Sequence, residues 1–193
     1  LSAVMKKVWL FILLTICTAV FADLPAVADA DKSRGWISGV PFTPFQLGIG
    51  LFDRTQIFDG NAETFAAFGL LTQRQKSAAI STAPLNVLQR NYLLQSAALL
   101  NLGEYNFFLS LAPGNIIYTN YGLQTGLVNI SFDSTGVQAG AVNFSGLVQF
   151  GLFNHSGTIQ FGIFNEEGKL QFGLINHNPD ALIPWFPFFN FGK

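Results

Sequence analysis

The chain has 193 residues, half of them apolar and only 11% charged; Phe alone fills 21 positions, and the formal net charge is −1. An ordinary soluble protein carries about 25% charged residues, so this chain has too few charges to coat a water-facing surface evenly. The charge balance also argues against nucleic acid as a partner, because no basic stripe exists to neutralise phosphates.

Met5, Lys6 and Lys7 precede an apolar run over 8–16, and Val20 and Ala22 stand at minus three and minus one of a cleavage after Ala22. This pattern predicts a secretory signal over 1–22, with residues 1–4 upstream of its start. The run is too short for a membrane-spanning helix. The single cysteine, Cys17, lies within the signal, so the mature chain is expected to hold no disulfide. Lipidation at Cys17 would need a small residue where Ile16 stands. Residues 23–35 read as a polar, Ala-rich exported linker, and 36–193 as one β-repeat domain.

Within that domain, 45–52 already shows Gln and Gly alternating with apolar residues. Further strands are expected over 64–72, 76–82, 92–102 and 105–111, separated by Gly, Asn and Pro. Two of these, 64–72 and 92–102, are rich in Ala and Leu and could be helical on propensity alone; their strand-like neighbours favour strand.

From Tyr121 onward one phrase recurs: an apolar residue, Gln, any residue, Gly, two apolar residues, Asn. It places Gln124, Gly126 and Asn129; Gln138, Gly140 and Asn143; Gln149, Gly151 and Asn154; Gln160, Gly162 and Asn165; and Gln171, Gly173 and Asn176. The steps between the glutamines are 14, 11, 11 and 11 residues, too short for helical repeats and right for one strand plus one turn. Alternation along a strand puts Phe150, Phe161 and Phe172 in a row on an apolar face, with Gln and Gly on the other. Antiparallel strands 147–153 and 158–164, joined by the loop 154–157, would set each Gln beside a Gly. Gly157 and Gly168 would then close their loops in a left-handed conformation.

The fold class expected is all-β: an antiparallel meander of short hairpins forming a small barrel, with a solenoid or a sandwich as alternatives. An apolar outer face, export and low charge suggest a barrel in the outer membrane, in contact with its lipid. One magnitude opposes it. Seven-residue strands extend about 23 Å and, tilted by about 45°, cover only ~16 Å of the ~25 Å apolar band. Against the parallel coil stands the argument that 11 residues cannot hold a seven-residue strand and still return to the start.

The repeats 122–129 and those ending at Asn143, Asn154, Asn165 and Asn176, with the closing aromatic run 183–192, resemble the leptospiral-type surface repeat family of spirochaetes and other bacteria. The resemblance covers roughly 41–193 and is strongest after Tyr121. It implies an exported surface or outer-membrane protein of unassigned molecular function and offers no catalytic residues to carry over.

Chemical motifs are scarce. His155 and His177 are two repeats apart, but both are expected in surface loops, and no Cys or carboxylate recurs from repeat to repeat at matching spacing, so neither a metal site nor a cofactor is expected. The repeat asparagines could form a ligand-binding row, but they read better as turn starters bonding through their own side chains. The glutamines could line a conduit, though a filled interior is favoured, and Glu166 and Glu167 read as a solvated loop. The tail 185–191 could be an interfacial girdle, a final strand read during membrane assembly, or a plug over the end of the core. No base, nucleophile and cleft combine as an enzyme would need. The functional expectation is therefore a structural or surface-exposed role. A soluble domain binding a protein or ligand is the first alternative, and a small passive pore the second.

Overall fold

The computed structural model describes residues 37, 39–49, 56–58 and 62–192. The signal segment, Cys17, the linker and the domain start at Trp36 lie outside the described residues. Among the described residues nine strands follow in order: β1 (Phe42–Gly48), β2 (Glu63–Gly69), β3 (Thr72–Asn106), β4 (Leu109–Leu111), β5 (Gly114–Asn120), β6 (Leu123–Ser134), β7 (Val137–Glu166), β8 (Leu170–His177) and β9 (Trp185–Phe191). Both Ala- and Leu-rich segments are strand, as their neighbours suggested. Among the described residues no helix is long and apolar enough to cross a membrane.

The strands wind as a parallel β-solenoid, not as an antiparallel barrel. Leu123 pairs with Val137, Gln124 with Gln138 and Asn129 with Asn143, all parallel. Farther on, Gln160 pairs with Gln171, Phe161 with Phe172 and Gly162 with Gly173. Each Gln therefore faces the next Gln and not a Gly. Like-on-like stacking is selected because a primary amide both donates and accepts, so identical side chains one rung apart satisfy each other.

The objection to an 11-residue coil fails because the strand is not straight. β7 continues through 30 residues, broken from the extended conformation only where it goes round corners. Three corner residues, Ser145, Ser156 and Glu167, have φ of 56°, 54° and 57° and are spaced by one repeat. A perimeter of about 36 Å encloses little more than one Gln and one Asn side chain. The left-handed residue is thus the one before each expected glycine. Gly157 is required for a different reason: a Cβ there would lie 2.5 Å from Oε1 of Gln149.

The coils shorten toward the C-terminus. Up to Gln138 the usual offset between coils is 14 residues, as in Gly114 to Val128, with longer steps of 21 from Phe42 to Glu63 and of 15 from Leu94 to Leu109. Beyond it the offset is 11. The three residues lost fall between the repeat Asn and the following Gln, a path of nine residues from Asn129 to Gln138 and of six from Asn154 to Gln160. One side of the coil is shortened while the Gln-to-Asn side continues unchanged.

At the C-terminal end β9 runs antiparallel to β8, with Gln171 opposite Asn190 and Phe172 opposite Phe189. The aromatic tail therefore covers the last rung, as a plug would. Pro187 within β9 cannot donate from its nitrogen, which blunts the new outer edge against further pairing.

Candidate functional site

The interior is polar and the exterior apolar, the reverse of an ordinary globular core. Gln124, Gln138, Gln149, Gln160 and Gln171 are fully buried, as are Asn129, Asn143, Asn154, Asn165 and Asn176. From Gln138 onward each Gln Nε2 donates to Oε1 of the preceding rung: Gln138 to Gln124 at 2.8 Å, Gln149 to Gln138 at 3.0 Å, Gln160 to Gln149 and Gln171 to Gln160 at 2.9 Å. The same nitrogen reaches across its own coil to a main-chain oxygen, His155 O for Gln149 and Glu166 O for Gln160. That second bond fixes the width of the coil.

The asparagines donate the opposite way, toward the following rung: Asn129 to Asn143, Asn143 to Asn154, Asn154 to Asn165 and Asn165 to Asn176, at 2.8–2.9 Å. The two ladders thus carry opposed dipoles, and their sum along the axis is small. The repeat asparagines are neither turn starters nor a ligand row; they are structural bonds shut away from solvent. The ladder extends farther back than the repeated phrase, through Asn101 and Asn115.

The Gln ladder stops at its N-terminal end. Ser110 stands in the Gln column, between Gln95 and Gln124. It is too short to bridge them, and Oε1 of Gln95 and Nε2 of Gln124 are both left buried without a partner. Seven residues on, Ile117 is fully buried where the next coil has Ser131, whose hydroxyl bonds Gln124. A small residue at one position is matched by a large one at the other. We expect Ser110→Gln alone to destabilise, through overpacking toward Ile117 and loss of the hydroxyl's bonds with Asn101 and Asn115, and Ser110→Gln with Ile117→Ser to recover about 1–3 kcal/mol of coupling. A double-mutant cycle of urea midpoints measures it; additive effects would refute the pairing.

The outer surface carries continuous apolar columns. Phe150, Phe161 and Phe172 stack with ring centroids 5.1 Å apart and planes within 9° of parallel. Phe161 remains 38% exposed, and Leu152, Ile163 and Leu174 beside this row are more exposed still. The row expected to face either lipid or a core is therefore on the surface. Phe153 and Phe164, assigned to the inner face by strict alternation, leave the interior at a corner and stack on each other outside it. No charged residue falls within 148–153, 159–164 or 170–175. Farther toward the N-terminus Tyr92, Phe107 and Tyr121 form a second exposed stack.

Shortening the coils opens a polar cleft of about 480 Å³. Phe132, Asp133 and Ser134 overhang it from the last long coil and Asn178 to Asp180 from the capping segment, above the stacked corners Ser145, Ser156 and Glu167. Next in sequence to the lining residues Ser156 and Glu167, a third column holds His155, Glu166 and His177. The side chains of Glu166 and His177 are 15% and 13% exposed, so these residues belong to half-buried strand positions and not to solvated loops. Only Glu167, at 40%, answers to the loop description. Among the described titratable groups, the Tyr105 hydroxyl is held above its ordinary range, first by the charge of Glu104 beside it; at neutral pH it stays protonated and offers no nucleophile.

Comparisons with protein-family models, with curated proteins and with solved structures find no match to this chain.

Proposed function

We propose that this chain is an exported bacterial surface or outer-membrane protein with a structural, non-catalytic role, lying with its apolar outer face against lipid. The observation that carries the proposal is the stacked, charge-free outer face centred on Phe150, Phe161 and Phe172. Contiguous apolar patches beyond a few hundred Å² are rare on soluble monomers and mark interaction surfaces. A flat face of parallel columns suits a lipid plane, and the interior, already filled by amide ladders, needs no lipid to satisfy it. The export signal read from residues 5–22 and the resemblance of the repeats to surface proteins agree with this placement. The ladders also occupy the space that a passive pore would need.

Flotation of the full mature chain with vesicles of outer-membrane lipid tests the proposal. The wild type is expected to float with the vesicles, and Phe161→Arg with Phe172→Arg to stay in the soluble fraction. Burying a Phe side chain contributes about 1.5–3 kcal/mol, so losing two of them should weaken partitioning by at least about 100-fold. Because both rings are already partly exposed, the double variant should keep its far-UV circular dichroism. A wild type that does not float would favour the second reading, a surface domain bound to a protein partner. The exposed stack of Tyr92, Phe107 and Tyr121 would then be the first surface to examine, since tyrosines pair an apolar body with a polar tip.

A further inference from the structure

We propose that His155, Glu166 and Glu167 bind one divalent transition-metal ion at the rim of the cleft, with His177 orienting Glu166 from the next rung. His155, Glu166 and His177 follow one another at intervals of 11 residues and therefore stack in one column. Parallel winding brings them together; antiparallel hairpins would have dispersed them.

The distances favour ligands around an ion over direct hydrogen bonds. His155 Nδ1 lies 3.4 Å from Glu166 Oε2, the pair that would face one ion, whereas the 3.7 Å contact with Glu167 Oε2 is made by the other ring nitrogen, Nε2, so Glu167 would turn toward the Nδ1 side to complete the set. Charge-assisted hydrogen bonds between nitrogen and carboxylate close to about 2.7–2.9 Å. Donors held about 2.1 Å from a tetrahedral ion are instead about 3.4 Å from one another. One donor atom from each of His155, Glu166 and Glu167 can be chosen so that all lie within 4.8 Å of each other. Three protein ligands of mixed nitrogen and oxygen, of which Glu167 also lines the cleft, are a set that zinc and its neighbours accept, leaving a fourth position for water.

His177 supplies an independent observation. Its Nδ1 is buried, has no hydrogen-bond partner, and points at the other carboxylate oxygen, Glu166 Oε1, from 3.5 Å. The ring is stacked on Trp185 with centroids 4.1 Å apart, so it is held in place from the far side. A carboxylate that binds an ion through Oε2 and is steered through Oε1 is the usual support of a metal site. Phe144 closes the opposite end of the column, edge-on to His155 at 5.6 Å. The ion would thus sit between apolar walls and tie two adjacent rungs.

Zn²⁺ titration of the untagged full chain in competition with a chromophoric chelator tests the site, and Co²⁺ replaces Zn²⁺ for visible absorption. Expected are one Zn²⁺ per chain at micromolar affinity or tighter, and visible Co²⁺ bands. Affinity should fall at least tenfold in Glu166→Gln and in His155→Asn, with the bands lost, while Glu104→Gln on a distant coil binds as the wild type does. Circular dichroism identifies any variant that fails to fold, and the wild-type Co²⁺ spectrum stands without either variant. A wild type without saturable Zn²⁺ binding, or binding that survives both substitutions unchanged, overturns the site.

Discussion

Asn154→Leu is expected to lower stability by about 3–5 kcal/mol, although it replaces a side chain by one of similar size and greater hydrophobicity. Nδ2 of Asn154 donates to Phe161 O and to Asn165 Oδ1, and its Oδ1 accepts from Asn143 Nδ2. Asn143 keeps a second bond, to Phe150 O. The substitution still orphans Asn165 Oδ1 and weakens two other groups in a sealed interior, at about 1–3 kcal/mol for each group left unsatisfied. Asn154→Asp should be worse at neutral pH, since it buries a charge against acceptors. Its carboxyl pKa in the folded state would be raised above the unfolded value of about 3.9. The folded state then holds the proton more tightly, so stability is greatest below that pH and falls as pH rises toward the folded pKa. Urea titrations at two pH values measure both effects. An Asn154→Leu variant as stable as the wild type would show that the ladder contributes nothing to folding.

Gly162→Ala should cost about 1–3 kcal/mol, a large effect for one methyl group. The added carbon would lie 2.5 Å from Gly151 O, which is main chain of the preceding rung, and 2.5 Å from Asn154 Nδ2. Neither can withdraw, because both belong to the rung pairing that defines the coil. Gly114→Ala is the control. There the nearest atom is the end of the Leu100 side chain at 2.9 Å, and the next is a main-chain oxygen at 3.7 Å. A rotamer change accommodates it, so its urea midpoint should stay near that of the wild type. Equal losses at the two positions would mean that backbone approach is not what requires glycine in the repeat.

These residues also show how far the sequence could be read. The repeated phrase announced an all-β chain, and alternation put Phe150, Phe161 and Phe172 on an apolar face away from Gln. What it left open was the direction of neighbouring strands. Pairing Gln with Gly satisfies volume in an antiparallel hairpin, whereas pairing Gln with Gln satisfies hydrogen bonds in a parallel coil; only the second also accounts for a buried Asn column. Asn101, Asn115, Asn129 and Asn143 already recur every 14 residues, but Ser110 in the Gln column hides that the early coils obey the same rule. Glu166 was obscured differently. Beside Glu167 it looks like a charged loop, and its place midway between His155 and His177 acquires meaning only once the rungs are stacked.

The shortened coils have a consequence for how such a chain can change over generations. From Gln138 to Gln171 every rung offers the next the same donors, acceptors and glycine hollows, so one in-phase duplication of a repeat would lengthen the protein by about 4.8 Å with each new amide already matched. Loss of a repeat would be equally silent in the interior. One repeat more or fewer in this stretch would therefore leave the interior satisfied, whereas an insertion of any other length would break both ladders at once.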